Sequence, residues 1–264
     1  MVKAADRARN PARSSVWMEN RAARPGGGPA GLDRDRIVAA SIRMLDEEGL
    51  AGLSMRKLAS ELGVTAMSLY WYVDTKDDII EFALDAAYAD IDLAPVTATD
   101  DWRDRLRALA LGYRRMLVRH PWVSTCTALY LNVGPKALAV GTAIQDAVRA
   151  TGLPVRGQPG ALAAVFQFVY GYGTVEALFA RRSAEAGMTP DEFYRESVAA
   201  FRDEPQFSEP MAKMKELFAE RASHPSVDDI WDGDFAYALD IMVAGIETMV
   251  AREAAADPGD GAPA

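Results

Sequence analysis

Residues 54–76 read SMRKLASELGVTAMSLYWYVDTK, and this stretch decides the fold. Ser54 is a typical helix N-cap, and a short helix with one apolar face is predicted to follow it. That face is formed by Met55, Leu58, Ala59 and Leu62. Gly63 permits a tight turn, and a second short helix, anchored inward by Leu69, is predicted over about residues 65–71. Helix, glycine turn and helix predict a helix-turn-helix, whose second helix fits the major groove of DNA.

The residues on both sides of this stretch predict further helices. Asp33 is an N-cap flanked by apolar residues, and its helix is expected to end at Gly49. Start signals recur at Thr75 and in Thr189-Pro190-Asp191-Glu192, and apolar residues fall at helical intervals over residues 235–250. No stretch alternates with the period of a strand for long. The sequence therefore predicts an all-α fold: an N-terminal three-helix DNA-binding domain and a larger helical domain for ligand binding and dimerisation.

The distribution of charge and of proline divides the chain further. The formal net charge is −9, which excludes a protein that coats polyanions generally. Residues 1–31 instead hold six basic and two acidic side chains and end in a glycine- and proline-rich run, so a disordered basic arm is predicted. A proline-containing linker at Asp92-Leu93-Ala94-Pro95 is expected to separate a DNA-binding domain (32–92) from the larger domain (100–253). Residues 254–264 are predicted to form a flexible tail.

Several kinds of site and location are excluded by composition. A single cysteine, Cys126, excludes a disulfide within the chain, and two histidines, His120 and His224, are too few for a histidine-rich metal centre. No metal and no cofactor are predicted. The N-terminus lacks the apolar region of a signal peptide, and the most apolar run, residues 161–175, is interrupted by Gln167 and is short for a membrane span. A cytoplasmic protein without a membrane partner is expected.

Three consecutive aromatic residues, Tyr70, Trp71 and Tyr72, mark the expected DNA-contacting surface. Successive helical side chains are about 100° apart, so a short helix cannot bury all three. An exposed aromatic side chain on a charged surface indicates a contact site. The alternative is that Tyr70 packs in the core and that Arg56 is a solvated surface charge. The full set of candidate DNA contacts is Arg56, Lys57, Thr65, Ala66, Met67, Ser68, Tyr70, Trp71, Tyr72 and Lys76.

The larger domain has apolar helices but no catalytic motif. Residues 100–250 contain no nucleotide-binding loop, metalloprotease motif or nucleophile elbow, so no enzyme is predicted. Residues 161–179 are apolar nearly all round, which predicts a helix buried on both faces, either within a monomeric core or with one face against a second copy of the chain. Aromatic residues and a methionine suggest a pocket, although each is also a plausible core residue. These candidates are Leu109, Tyr113, Met116, Trp122, Tyr130, Phe166 and Tyr170.

A set of positions in and after the helix-turn-helix follows one pattern. They are Arg56-Lys57-Leu58-Ala59, Leu62-Gly63-Val64, Leu69-Tyr70, Val73, Lys76 and Asp77-Asp78. This pattern resembles the N-terminal domain of the TetR family of transcriptional repressors, and residues 69–73 are most similar to its tetracycline-repressor branch. The resemblance implies a homodimer that binds a palindromic operator. It also implies a four-helix bundle at the dimer interface, built from about residues 160–182 and 234–252 of each chain.

Four positions depart from the tetracycline repressors. Thr127 aligns with a histidine that coordinates the drug-bound magnesium in those repressors, and Leu109 replaces a polar contact. Ala66 and Met67 stand where those proteins present Gln and Pro to DNA. The resemblance therefore adds Thr127 to the candidate ligand-binding residues, but neither tetracycline nor its operator is expected.

The predicted function is a homodimeric, ligand-responsive repressor. It would bind double-stranded DNA and be released by a small, largely apolar or aromatic inducer that favours a dimer with wrongly spaced recognition helices. One alternative is a constitutive DNA-binding regulator or activator whose larger domain only dimerises. Another is an enzyme that acts on a small hydrophobic molecule, for which the sequence offers no acid–base or nucleophile set.

Overall fold

The computed structural model describes residues 15–18, 31–202, 206 and 208–256. Within these ranges every regular element is a helix and no strand is present, which confirms the predicted all-α fold. The physical reason is visible in the sequence, because most segments have an N-cap residue at their start and apolar residues at helical spacing.

The chain folds into two compact units, residues 1–158 and residues 159–264. In the described residues, the helices of the first unit are α1 (Arg34–Gly52), α2 (Met55–Glu61), α3 (Ala66–Leu69), α4 (Lys76–Ala87), α5 (Ala94–Thr97), α6 (Trp102–Arg119), α7 (Trp122–Leu129) and α8 (Pro135–Arg149), with a 3-10 turn at Tyr88–Asp90. The second unit is built from α9 (Gln158–Glu185), α10 (Pro190–Arg202), α11 (Ser208–Lys213), α12 (Lys215–Arg221) and α13 (Val227–Ala256).

The predicted helix caps are present. The side chain of Asp33 accepts a hydrogen bond from the backbone N–H of Arg36 at 2.7 Å, which caps α1. Regular helical geometry breaks at Gly49, which has φ +68°, a conformation that favours glycine, and the expected end of the first helix is confirmed there. Thr75 caps α4 in the same way through the backbone N–H of Asp78 at 3.2 Å. These contacts are local, within three or four residues, which is why the sequence revealed them.

The second helix of the helix-turn-helix is shorter than predicted. Helix α3 spans Ala66–Leu69, whereas a helix over about residues 65–71 was expected. After Leu69 the chain tightens, because the backbone N–H of Trp71 bonds to the carbonyl of Ser68 at 3.4 Å and that of Tyr72 to the carbonyl of Leu69 at 2.9 Å. Leu69 is fully buried and anchors this helix against the first unit's core.

Helix α4 is the central element of the first unit, with nine of its 12 residues buried. Its buried face includes three carboxylates, those of Asp78, Glu81 and Asp85. Asp85 accepts hydrogen bonds from the backbone N–H groups of Lys136 and Ala137, both at 3.0 Å, and so caps the start of α8. The two helices approach closely because Gly134 lies there, where a Cβ would overlap the Asp85 carboxyl group.

These contacts bear on the expected boundary near residues 92–95. Helix α4 precedes that linker in the sequence and α8 follows it, yet the two helices pack within one unit. The chain divides after Gln158 instead. The physical reason is that the buried carboxylate of Asp85 on α4 is bonded by the start of α8, which follows the linker in the sequence. The division into a DNA-binding segment (32–92) and a ligand-binding segment (100–253) stays a prediction about function.

A short part of the N-terminal segment packs against α4. The hydroxyl of Ser15 and the backbone N–H of Val16 donate hydrogen bonds to the carboxylate of Glu81, the latter at 3.1 Å. The ring of Trp17 meets the ring of Phe82 edge to face, with 5.0 Å between centroids. This corrects the predicted disorder of residues 1–31 at positions 15–18, because a buried carboxylate needs hydrogen-bond donors and this segment supplies them.

The remaining predictions about the chain ends can be placed only in part. Residues 1–14 and 19–30 of the predicted arm, and residues 257–264 of the predicted tail, lie outside the described residues. Residues 254–256, which were expected to belong to the flexible tail, continue α13 as regular helix.

The second unit is held together by aromatic side chains from α9, α10 and α13. Phe168 stacks on Phe235 with 5.5 Å between centroids, and the hydroxyl of Tyr172 donates to the carbonyl of Trp231 at 2.7 Å. The predicted capping box at the start of α10 is confirmed. In it the hydroxyl of Thr189 accepts from the backbone N–H of Glu192 at 3.2 Å, and the Glu192 carboxylate accepts from the backbone N–H of Thr189 at 2.9 Å.

Replacing Trp17 with alanine is expected to destabilise the first unit through loss of its contact with Phe82. In a double-mutant cycle of Trp17→Ala and Phe82→Leu, the coupling in the free energy of unfolding should be about 0.5–1.5 kcal/mol, the usual value of an aromatic pair. Urea unfolding of the four proteins measures it. Strict additivity of the two substitutions would show that residues 15–18 do not hold this position in solution.

Candidate nucleic-acid interface

The helix-turn-helix presents two large apolar side chains to solvent. Met67 is 71% exposed and Trp71 is 45% exposed, whereas Leu69 between them is fully buried. The outer side of α3 and of the turn after it therefore carries a thioether and an indole in open solvent. Their exposure indicates a surface that contacts another molecule.

The three consecutive aromatic side chains have different environments. The hydroxyl of Tyr72 donates a hydrogen bond to the backbone carbonyl of Leu32, and its ring is half-buried. Tyr70 is also half-buried, and only Trp71 is largely exposed. At least one of the three rings was expected to be exposed, and that ring is the indole of Trp71. Tyr72 has a clear structural role, because it ties the turn after α3 to the residue that precedes the α1 cap.

The basic side chains of this region differ in whether they are already bonded to another part of the protein. The Lys57 ammonium forms an ion pair with Glu48, and the Lys76 ammonium donates to the backbone carbonyl of Leu50 at 2.8 Å. Lys76 thereby satisfies a carbonyl at the C-terminal end of α1. Arg56 is exposed, and no ion pair is formed by it within the described residues. A DNA phosphate would have to compete with protein partners for both lysines but not for Arg56.

The small residues at the start of α3 form its cap. Thr65 accepts a hydrogen bond from the backbone N–H of Ser68 at 3.3 Å, and the two hydroxyls lie 3.0 Å apart. Thr65 is exposed, and Ala66 and Ser68 are partly exposed. These residues occupy the N-terminal end of the recognition helix, where a helix favours negatively charged groups. Their contact with DNA stays a prediction.

Asp78 on α4 positions the turn that follows the recognition helix. Its carboxylate is fully buried and accepts hydrogen bonds from the backbone N–H of Asp74 at 2.8 Å and from the hydroxyl of Thr75 at 2.7 Å. In the sequence, Asp78 stood out only as part of the pattern that resembles the TetR family. A signal for more was available, because Thr75 and Asp78 have the three-residue spacing at which two side chains can cap one another.

The candidate ligand-binding residues are divided between the two units. Leu109, Met116 and Trp122 are buried in the first unit, and Tyr113, Thr127 and Tyr130 are half-buried there. Phe166 and Tyr170 belong to α9 in the second unit, where both are half-buried.

Most polar atoms of these candidates are bonded within the protein. The indole N–H of Trp122 donates to Asp46 on α1 at 2.7 Å, and the Tyr130 hydroxyl donates to Asp77 at 3.0 Å. The Thr127 hydroxyl donates to a backbone carbonyl of its own helix at 3.1 Å. Burial and the neighbouring Asp77 carboxylate both raise the pKa of Tyr130. Whether these side chains line a ligand pocket stays a prediction.

Cys126 and His120 do not form a nucleophile–base pair. Burial raises the pKa of the Cys126 thiol to about 12, so the thiol is protonated at neutral pH. The two ring nitrogens of His120 contact carboxylates, Nδ1 that of Asp46 at 2.7 Å and Nε2 that of Asp90 at 3.1 Å. Neither nitrogen is therefore available to the thiol as a base.

Helices α9 and α13 each leave an apolar stripe uncovered. On α9 the exposed stripe consists of Ala164, Gly171, Val175 and Leu178. On α13 it consists of Tyr237, Ile241, Ala244, Gly245 and Met249. A Cβ at Gly171 or Gly245 would meet nothing within 4 Å. The predicted burial of α9 on both faces is therefore not reached in a single chain, in which its outer face is open.

Helix α9 is, among the described residues, the helix long and apolar enough to cross a membrane by length and composition. The core helix of a water-soluble protein passes the same test. The inner face of α9 carries Phe168 and Tyr172, both in contact with α13. These aromatic contacts account for the apolar character of the inner face.

Comparison with known proteins identifies both halves of the chain. Residues 37–82 match the model of bacterial regulatory proteins of the tetR family, and residues 94–250 match that of the tetracyclin repressor-like C-terminal domain. An HTH-type transcriptional regulator of Saccharopolyspora erythraea is 40% identical over 156 residues, which cover 59% of this chain and 65% of that protein. The HTH-type transcriptional repressor DrrR1 of Streptomyces coeruleorubidus is 28% identical over 238 residues, which cover 90% of this chain and 85% of that protein.

A solved structure shows the same fold. The TetR family protein ActR of Streptomyces coelicolor, in complex with actinorhodin, superposes with a TM-score of 0.62 and is 23% identical, over 84% of this chain and 99% of that one. The C-terminal family model alone spans more than half of this chain. With a helix-turn-helix whose outer side exposes Met67 and Trp71, and with both family models matched in order, the chain belongs to the TetR family of transcriptional regulators.

Proposed function

We propose that this protein is a ligand-responsive repressor that binds a palindromic operator as a homodimer and is released by a small, largely apolar molecule. The observation that carries the proposal is the exposed pair of Met67 and Trp71, held outward by the buried Leu69 on the recognition helix. Both side chains leave a large apolar surface open to a partner, Met67 with 71% and Trp71 with 45% of its surface exposed. They suit apolar contact with thymine methyl groups and with the sugar edges of the major groove.

The charges around this surface favour a dimer over a monomer as the binding species. Arg56 is available for a phosphate, whereas Lys57 and Lys76 are bonded to Glu48 and to the carbonyl of Leu50. A single helix-turn-helix would therefore neutralise few phosphates and bind weakly. Two copies at a fixed separation add their contacts on two half-sites, which is how symmetric operators are bound.

The uncovered stripes of α9 and α13 support this dimer. Both stripes combine large apolar side chains with glycine, which lets two helix backbones approach closely. An apolar surface of this kind on a water-soluble chain is the expected face of a subunit interface. We infer that the two helices of each chain form a four-helix bundle with those of a second copy.

The proposed inducer is a small apolar or aromatic molecule. ActR, which has the same fold, has been crystallised with actinorhodin. In the first unit the candidate contacts Leu109 and Met116 are apolar, and Thr127 offers a hydroxyl already bonded within α7. Such a set favours a ligand bound through apolar area with few hydrogen bonds. A cytoplasmic location follows from the proposed role, since operator DNA is there.

A constitutive regulator is the second candidate, and specific contacts favour it. Leu109 and Met116 are fully buried, and the polar atoms of Trp122 and Tyr130 are bonded to Asp46 and Asp77. These are also the features of an ordinary core. The two candidates differ in whether any small molecule releases the protein from DNA.

The first prediction concerns DNA recognition. Trp71→Ala is expected to weaken binding by roughly tenfold or more, because an exposed aromatic anchor is lost, while the thermal midpoint changes little. The matched control is Tyr72→Phe, which removes only the hydrogen bond to Leu32. It should reduce stability by about 1 kcal/mol and leave affinity near that of the wild type. Gel-shift titration on a duplex selected by the wild-type protein from a random library measures this. Wild-type affinity in Trp71→Ala would contradict the assigned surface.

The second prediction concerns the dimer. Ile241 is 60% exposed in the single chain, and Ile241→Glu would place a charge in the proposed bundle. Because burying a carboxylate there is costly, dimerisation should weaken by roughly 100-fold or more. Sedimentation velocity measures the change. The control Leu138→Glu alters a leucine on α8 that is 53% exposed and should leave the dimer intact. A monomeric wild type, or a fully dimeric Ile241→Glu variant, would refute the interface.

The third prediction separates repressor from constitutive regulator. If Met116 lines an inducer site, Met116→Trp should fill the site and abolish ligand-driven release while DNA binding persists. If Met116 is ordinary core, the change should overpack it and cost about 1–3 kcal/mol of stability without a ligand-selective effect. Compounds that release the wild-type protein from its selected duplex are titrated against the variant and against Leu117→Met, a conservative control on the same helix. A stable variant that still releases DNA normally would place the site elsewhere.

A further inference from the structure

His120 joins the DNA-binding helices to the helices that follow them. The residue lies between α6 and α7 and is buried. Its Nδ1 contacts the carboxylate of Asp46 on α1 at 2.7 Å, and its Nε2 contacts that of Asp90 in the 3-10 turn at 3.1 Å. One imidazole ring thus bridges two carboxylates that are 44 residues apart in the chain.

Two further side chains complete this cluster. The indole N–H of Trp122 donates to the same oxygen of Asp46 at 2.7 Å, and Arg119 contacts Asp90 at 3.0 Å. The charged groups that face the ring from the elements packed against it are therefore Asp46 from α1, Asp90 from the 3-10 turn and, through Asp90, Arg119 from α6. The contact from α7 is the neutral indole.

The protonation state of His120 decides whether both bonds can form. A neutral imidazole has one N–H and one lone pair, so it can donate to only one of the two carboxylates, and the lone pair would face the other. The imidazolium donates to both. Burial opposes this charge, but the hydrogen bonds and charges of Asp46 and Asp90 outweigh it and raise the pKa of His120.

We propose that His120, with Asp46 and Asp90, is a proton-dependent latch that holds α1 of the DNA-binding helices against the α6–α7 junction. In its protonated form the latch keeps the recognition surface in the orientation that this structure shows. That this orientation is the operator-binding one rests on the function proposed above. Loss of the proton leaves the ring able to donate to only one of the two carboxylates, which weakens the connection between α1 and the 3-10 turn. His120 is thus a positioning residue, and it acts on DNA through α1.

The direction of the pH dependence follows from linkage. Because the folded protein raises the pKa of His120, the stabilisation is fully present below the pKa of an unfolded histidine, about 6.5. It is lost as the pH rises through the folded value. The latch should therefore weaken toward alkaline pH, while Lys and Arg side chains remain charged.

Histidine NMR measures the latch without DNA. The chain has only two histidines, so the spectrum of His120→Gln assigns the His120 ring signals by their absence. We expect the His120 midpoint of the wild type to lie above that of a free histidine, and to fall in both Asp46→Asn and Asp90→Asn. The two variants keep the shape of the site, and either one suffices if the other fails to fold. A wild-type midpoint at or below the free value, or one that neither variant alters, would overturn the latch.

DNA binding measures its consequence. The affinity for the selected duplex is compared between about pH 6 and about pH 9. The wild type should lose roughly tenfold across the His120 titration, and His120→Gln should show a flat profile. Trp71→Ala is the control, since it should bind more weakly at every pH with the wild-type slope. A slope in His120→Gln equal to that of the wild type would overturn the coupling to DNA. Absence of DNA binding by the wild type at every pH would instead refute the proposed function, and the NMR titration then decides the latch.

Discussion

The first unit depends on the need of buried carboxylates for hydrogen-bond donors. Helix α4 carries three such groups, and each accepts hydrogen bonds from a different segment of the chain. Asp78 accepts from the turn after the recognition helix, Glu81 from residues 15–16, and Asp85 from the start of α8. A carboxylate left without donors in this interior would cost several kcal/mol, on the order of the protein's whole stability margin. The positions of these segments are therefore specified together.

The proposed release from DNA would require the recognition helices to move, and the contacts of α4 bear on that movement. Helix α4 contacts the turn after the recognition helix through Asp78 and the start of α8 through Asp85. A shift of α4 would therefore disturb both contacts. A second connection runs from Asp46 on α1 to His120 and Trp122. A ligand can change operator affinity only if it binds two arrangements of these connections with different free energy.

Residues 32–92 carry 13 acidic and six basic side chains, and the same contacts explain part of this excess. Asp46, Glu48 and Asp78 have partners within the protein, so part of the negative charge near the helix-turn-helix is structural. The cost is that Lys57 is neutralised by Glu48. Under the proposed function, recognition would rely more on the apolar side chains of Met67 and Trp71 and on pairing of two subunits than on the charge of one motif.

The sequence by itself determined the helix-turn-helix, the all-α class and the helix starts at Asp33, Thr75 and Thr189. These depend on hydrogen bonds between residues three or four apart and on the backbone freedom of Gly49, which are written in local order. Only the tertiary structure decided that Trp71 is exposed while Tyr72 is tied down, that residues 15–18 pack on α4, and that the chain divides after Gln158. Those outcomes depend on partners tens of residues away. No local pattern encodes which of many distant groups will meet a given side chain once the core has formed.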